Sequence, residues 1–224
     1  LNTSQLESTL QMNGPMIVIA GAGSGKTRVL TYKIAYLMTQ GVDPFNILAL
    51  TFTNKAAREM KERIANIVGD EAKNLWMGTF HSVFARILRI EAHKIGYTSN
   101  FTIYDSDDSQ KLVARIIKEL NLDKEQYKYK IIFSRISSMK NNFISADQYI
   151  NDEEMLLSDK ISNRPKFHQI YKQYVDRCFK AGAMDFDDLL LKTNELLNSY
   201  PDTLSKYQNI FRYIPVSYTH LTLP

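Results

Sequence analysis

The run Ala20-Gly21-Ala22-Gly23-Ser24-Gly25-Lys26-Thr27 interleaves glycines with small residues and ends in a lysine and a hydroxyl. Glycines let successive backbone N–H groups turn inward without Cβ clashes, and such a nest takes up an anion. A helix starting where the run ends presents its positive end to the same anion. Lys26 can then reach the outer phosphates as a point charge, and the Thr27 hydroxyl can ligate Mg2+. The chemistry these types serve is binding of a nucleoside triphosphate, with Lys26 and Thr27 as the candidate catalytic positions. Ala20 departs from the glycine that usually opens the pattern. Two further groups bear on chemistry. Asp185, Asp187 and Asp188 invite a metal, but their spacing is better suited to a helix start, with Asp185 as cap and Phe186, Leu189 and Leu190 facing the core. Cys178 sits among apolar neighbours with no basic cluster to activate it, and reads as a small core residue.

Such a loop needs a strand before it and a helix after it. Met16 to Ala20 is apolar and of strand length, so a buried strand is expected there. Ser4 is expected to cap a short helix through Met12, with Asn13-Gly14-Pro15 turning the chain into that strand. A helix follows over about 26–40, stopped by Gly41. The next strand covers 47–52, and Thr53 caps a helix over about 54–68 that stops at Gly69. A third apolar run, 75–79, leads into a helix near His81, with Trp76 expected in the core. This alternation argues for a parallel sheet covered on both faces. From Asp105 to Ser199 the pattern is mostly helical. Asp105 or Ser106 caps a helix through Leu120, and helical segments 166–181 and 186–199 flank the turn Ala181-Gly182-Ala183. Residues 211–216 look like a return to the sheet. The expected fold is α/β, a parallel sheet with an inserted helical subdomain.

The chain has 224 residues, of which 44% are hydrophobic, enough for one large domain or two modest ones. Its 28 basic and 24 acidic residues leave a net charge of +4, which permits a nucleic-acid partner without demanding one. A single cysteine forms no internal disulfide, so the chain is expected to be intracellular. No apolar run approaches the roughly 18 residues of a membrane helix, and no signal-like leader precedes the first strand. The chain opens on Leu1, so a start inside a longer reading frame is expected.

Several segments, in order and at matching spacing over about residues 1–214, resemble the superfamily 1 DNA helicases of the Rep, UvrD and PcrA type. Leu1-Asn2-Thr3-Ser4-Gln5 resembles their glutamine motif. Ala20 to Thr27 followed by Arg28-Val29-Leu30 resembles their Walker A segment. Leu50-Thr51-Phe52-Thr53-Asn54-Lys55-Ala56-Ala57 resembles motif Ia, and Gly78-Thr79-Phe80-His81-Ser82 the next DNA-contacting motif. Met184 to Leu190 resembles an acidic segment late in the first domain. The resemblance implies a P-loop NTPase of RecA-like architecture. The motor domain would occupy residues 1–95 and 196–214, and a helical insertion 96–195. It implies ATP and Mg2+ as cofactors, with Gln5 on the adenine edge and Ala20, Gly21, Ala22, Gly23, Ser24, Gly25, Lys26, Thr27 and Arg28 around the phosphates. It implies DNA contacts from Phe52, Thr53, Asn54, Lys55, Thr79, His81 and Lys140. The implied activity is cytoplasmic, ATP-driven 3′-to-5′ translocation on single-stranded DNA with unwinding at single-strand/duplex junctions.

The resemblance breaks after Ile214. The family continues with an Asp-Glu pair, the Asp holding Mg2+ and the Glu polarising water, where this chain has Ser217-Tyr218. Pro215 is also a poor residue inside a central strand. Residues 215–224 are therefore expected to be a non-native tail. Three alternatives stay open: a catalytically incomplete module that binds ATP or single-stranded DNA, the helicase portion of a helicase–nuclease, and a P-loop protein unrelated to DNA.

Overall fold

The computed structural model describes residues 1–21 and 23–218, which form two compact units. Of the described residues, the first comprises those in 1–83 and 200–218, the second residues 84–199.

In the first unit, α1 (Thr3–Leu10) begins on a reciprocal cap. Asn2 Oδ1 accepts from Gln5 N at 2.9 Å, and Gln5 Oε1 accepts from Asn2 N at 3.0 Å. Asn2, not Ser4, is thus the cap: the helix already begins at Thr3, which puts Ser4 inside its first turn. The loop leads into α2 (Lys26–Thr39), followed by the positive-φ Gly41. Next come β1 (Leu48–Thr51), α3 (Asn54–Val68) and β2 (Trp76–Thr79), and the chain passes into the second unit within α4 (Phe80–Glu91). Thr53 Oγ1 caps α3 by accepting from Ala56 N at 3.2 Å. Ile34 and Leu37 of α2 and Met60 and Ile64 of α3 meet Ile47 and Ala49 in one core cluster.

The second unit is helical, with one short parallel pair. Its elements are β3 (Thr102–Tyr104), α5 (Ser106–Glu119), α6 (Tyr129–Asn141), α7 (Ala146–Ile150), α8 (Glu153–Ile161), α9 (Phe167–Lys180), β4 (Ala183–Asp185) and α10 (Phe186–Ser199). Tyr104 lies opposite Asp185 in the β3–β4 register. Val113, Ile116, Ile132, Ile136, Tyr149, Phe167, Tyr171 and Tyr174 form its core. Cys178 joins them at 1% exposure, and burial pushes its thiol up to about 12, which makes it inert near neutrality. Asp105 Oδ1 accepts from Asp107 N and Asp108 N, both at 2.8 Å, and so caps α5. Asp105→Ala is expected to lower stability by about 1 kcal/mol in urea unfolding.

The chain then adds α11 (Pro201–Ile210) and β5 (Val216–Ser217) to the first unit. The sheet runs β2-β1-β5, all parallel, with β1 central and all four of its residues buried. Pro215 precedes β5 and contributes only its carbonyl, which accepts from Leu50 N at 2.9 Å. Two further expectations are corrected. Met16 to Ala20 forms no strand, and Ile17 and Ile19 are 85% and 77% exposed. An apolar run becomes a strand only beside a partner, and these residues pair with neither edge of the sheet. Phe186 was expected in the core but is 50% exposed, since the buried stripe of α10 stops short of its first residue. Residues 219–224 of the expected non-native tail lie outside the described residues.

Candidate functional site

The first unit carries the loop. Gly23 and Gly25 have φ of +74° and +87°, a region L side chains rarely adopt, so the glycine spacing meets a real conformational demand. Gly25 precedes α2 and provides no side-chain cap. The first N–H groups of α2 therefore lack a side-chain acceptor, the arrangement that favours an anion there. Lys26 folds back over the loop, its Nζ donating to Ala20 O at 2.8 Å and Gly21 O at 2.9 Å. Ser24 Oγ donates to Gly21 O at 2.6 Å. Gln5 Nε2 donates to Ser24 O at 3.0 Å, which places the expected adenine contact directly against the loop. Thr27 is half-buried in the first turn of α2, and Arg28 is exposed with its guanidinium 5.8 Å from the Tyr32 ring centroid. Ala22 lies outside the described residues.

At the carboxyl end of the same sheet, the register sets Thr79, Thr51 and Ser217 side by side. Phe52 follows β1 and is 50% exposed, its ring centroid 5.1 Å from Phe80 and 4.2 Å from Tyr218. Thr53, Asn54 and Lys55 are exposed at the start of α3. Thr79 is buried, with its hydroxyl 3.2 Å from Ser82 Oγ and accepting from Ser82 N at 3.3 Å, so it shapes the entry to α4. His81 is half-buried in the first turn of α4. Trp76 is buried against Phe211, as a core residue.

Of these residues, Thr27 is the one that could offer a ligand to Mg2+. Thr27 supplies one hydroxyl, and among the described residues no group of three or more His, Cys, Asp or Glu side chains could hold a metal ion.

In the second unit, Lys140 is not a surface cation. It is 1% exposed, with Nζ at 2.7 Å from Asp185 Oδ2 and 2.8 Å from Asp188 Oδ1. Burial pulls its ammonium down, but Asp188 and Asp185 outweigh that and hold it above its ordinary value. Its charge is spent internally, which removes it from the groups able to meet a DNA phosphate. The same contacts account for the acidic cluster. Asp185 Oδ1 accepts from Asp188 N at 2.8 Å, Asp188 Oδ2 accepts from Asp185 N at 3.2 Å, and Tyr174 donates to Asp185 Oδ2 at 2.7 Å.

Residues 1–216 match the family model described as the UvrD/REP helicase N-terminal domain. The chain belongs to the UvrD/REP helicase family. Among curated relatives, ATP-dependent DNA helicases PcrA from Staphylococcus epidermidis and Staphylococcus aureus are each 42% identical over 217 residues. The match covers 96% of this chain and 29% of each relative, so the chain spans less than a third of their length. Membership in the UvrD/REP family brings the P-loop NTPase fold with it. Phe186 is a surface aromatic, against the core position expected from periodicity. Its position at the first residue of α10, next to Asp185, was the one available signal for a residue off the core.

Proposed function

We propose that this chain is the N-terminal motor domain of an ATP-dependent DNA helicase, with residues 84–199 as its inserted helical subdomain. The observation that carries the proposal is the loop from Ala20 to Thr27, glycine-turned and set on an uncapped helix start, with Gln5 bonded to it. In this reading the α2 N-terminus and Lys26 hold the triphosphate, and Gln5 selects adenine through one donor and one acceptor. Phe52 and the start of α3 meet single-stranded DNA, the ring by stacking and the helix end by taking a phosphate. The intact protein would move 3′ to 5′ and open duplex at single-strand junctions in the cytoplasm, as the family resemblance implies.

A second reading is favoured by one observation: β5 carries Ser217 beside Thr51, with Tyr218 next, where the family resemblance puts Asp and Glu. Phosphoryl transfer to water depends on positioning the metal and the nucleophile. When bound, Mg2+ would neutralise phosphate charge, and Thr27 is the residue placed to hold it. The chain as it stands is thus a binding module that takes up ATP and single-stranded DNA without turnover. Purified chain is expected to hydrolyse ATP no faster than Lys26→Ala, with or without a single-stranded oligonucleotide. DNA-stimulated turnover well above that control would defeat the second reading. Oligonucleotide binding that did not weaken with added salt would count against the DNA reading altogether.

A further inference from the structure

We propose that Phe143 is a base-stacking residue, held out from the second unit on a strained backbone so that its ring meets the face of a nucleobase. The inference rests on the DNA reading above and adds to it a contact from the helical unit.

The residue type does not suit its backbone. Helices α2, α5, α8 and α6 end in the same turn. The residue after the cap is left-handed, its N–H returns to the carbonyl three residues back, and the next N–H to the carbonyl five back. After α2 that residue is Gly41 (φ +83°), after α5 Asn121 (φ +51°) and after α8 Asn163 (φ +56°). After α6 it is Phe143 (φ +58°), with Phe143 N donating to Lys140 O at 3.0 Å and Ile144 N to Met139 O at 2.9 Å. Glycine has no Cβ to clash there and asparagine tolerates the conformation, whereas a bulky side chain is strained. Among the described residues, every other positive φ belongs to Gly or Asn, so the backbone does not account for this phenylalanine.

Nor does the core. The ring is 53% exposed and takes no part in the core cluster of its unit. The turn beneath it is fixed on both sides. Lys140 is tied to Asp185 and Asp188, while Ile144 packs on the core and its carbonyl accepts from Tyr171 Oη at 2.8 Å. Strain persists only where the surroundings over-determine it, and such positions gather at sites of function. The mount presents a ring beside amides. Asn141 and Asn142 precede it, and Lys140 has spent its charge inside. Asn141 Nδ2 donates to Asp187 Oδ1 at 3.0 Å, which puts a carboxylate at this turn, where a phosphate would be repelled. Such a surface suits the flat face of a base, offered by a single strand or by the last pair of a duplex.

The test uses the whole chain and compares wild type with Phe143→Asn and Phe143→Tyr. A fluorescent mixed-sequence single strand and a blunt-ended hairpin duplex separate the two sources of the base. Phe143→Asn is expected to unfold at higher urea than wild type, because the strain is relieved. It is nevertheless expected to bind at least one probe about fivefold or more weakly, with an unchanged salt slope. Phe143→Tyr keeps the ring and is expected to bind as wild type does. Loss on the single strand alone assigns the base to a strand, and loss on the hairpin alone to a terminal pair; either supports the inference. A lower urea midpoint in Phe143→Asn overturns it, because the ring would then be holding the fold. Phe143→Tyr binding as weakly as Phe143→Asn overturns it too. So does wild-type affinity of Phe143→Asn for both probes, which leaves the DNA reading of Phe52 standing. A shallower salt slope has the same force, since the ring would then be placing a cation. If wild type binds neither probe, the DNA reading fails and the inference falls with it.

Discussion

Lys140→Met is expected to destabilise the unit of residues 84–199 by about 3–5 kcal/mol in urea unfolding. Methionine nearly matches the length of the lysine side chain, so the loss is not mainly a cavity. It comes from two carboxylates left buried without their cation, Asp185 at 2% and Asp188 at 5% exposure. The pH dependence should change sign with the substitution. In the wild type, burial pushes Asp185 up, but Lys140, Tyr174 and the Asp188 N–H outweigh it and hold the carboxyl below the usual range. Its stabilisation is therefore present above the unfolded value near pH 4 and is lost as pH falls through the folded value. Asp188 is raised, by burial first, so it acts in the opposite sense and strains the fold as pH rises. Without Lys140 both carboxyls sit above their unfolded values. The variant should then lose stability as pH rises past about 4 and recover it on acidification. A cost below about 1 kcal/mol, or a difference that does not shrink at acid pH, would show that the ion pair does not hold this core.

Lys140 also shows what a sequence reading cannot reach. The caps by Thr53 and Asp105 were legible because their partners lie two or three residues on, inside one turn. The loop was legible for the same reason, since its closure runs from Ala20 to Lys26. Lys140 finds its partner 45 residues away, and Lys-Asn at a helix end has the look of a wet surface. Only the packing of α6 against α10 turns it inward. Met16 to Ala20 fails differently. Its apolarity and length were read correctly, but strand formation is a property of two segments, and no described segment pairs with it. The β3–β4 pair escaped notice because three-residue strands carry too little alternation to stand out from the helices around them. Phe186 was misjudged because periodicity gives a face and not the point where the core ends.

Phe52→Ala is expected to weaken binding of single-stranded DNA by about 1–3 kcal/mol, roughly five- to 150-fold, while leaving its salt dependence unchanged. Phe52 is the first residue beyond β1, where the carboxyl end of the sheet opens, and half its surface is exposed. Phe80 and Tyr218 contact its ring at 5.1 Å and 4.2 Å and limit its swing, so little orientation is left to lose when a base stacks. A stacked ring carries no charge and releases no counterion. Lys55 is its complement, exposed in the first turn of α3 and without an ion-pair partner among the described residues. If it meets a phosphate there, Lys55→Ala should lower the slope of log affinity against log salt by about 0.7 and weaken all sequences alike. The two variants thus separate stacking from charge on one surface. Phe52 is half exposed at a strand end, so its removal should leave far-UV circular dichroism and the urea midpoint nearly unchanged. If Phe52→Ala binds oligonucleotide as well as wild type, its contacts with Phe80 and Tyr218 are packing only. If it changes the salt slope as Lys55→Ala does, the ring orders the helix start and does not itself receive a base.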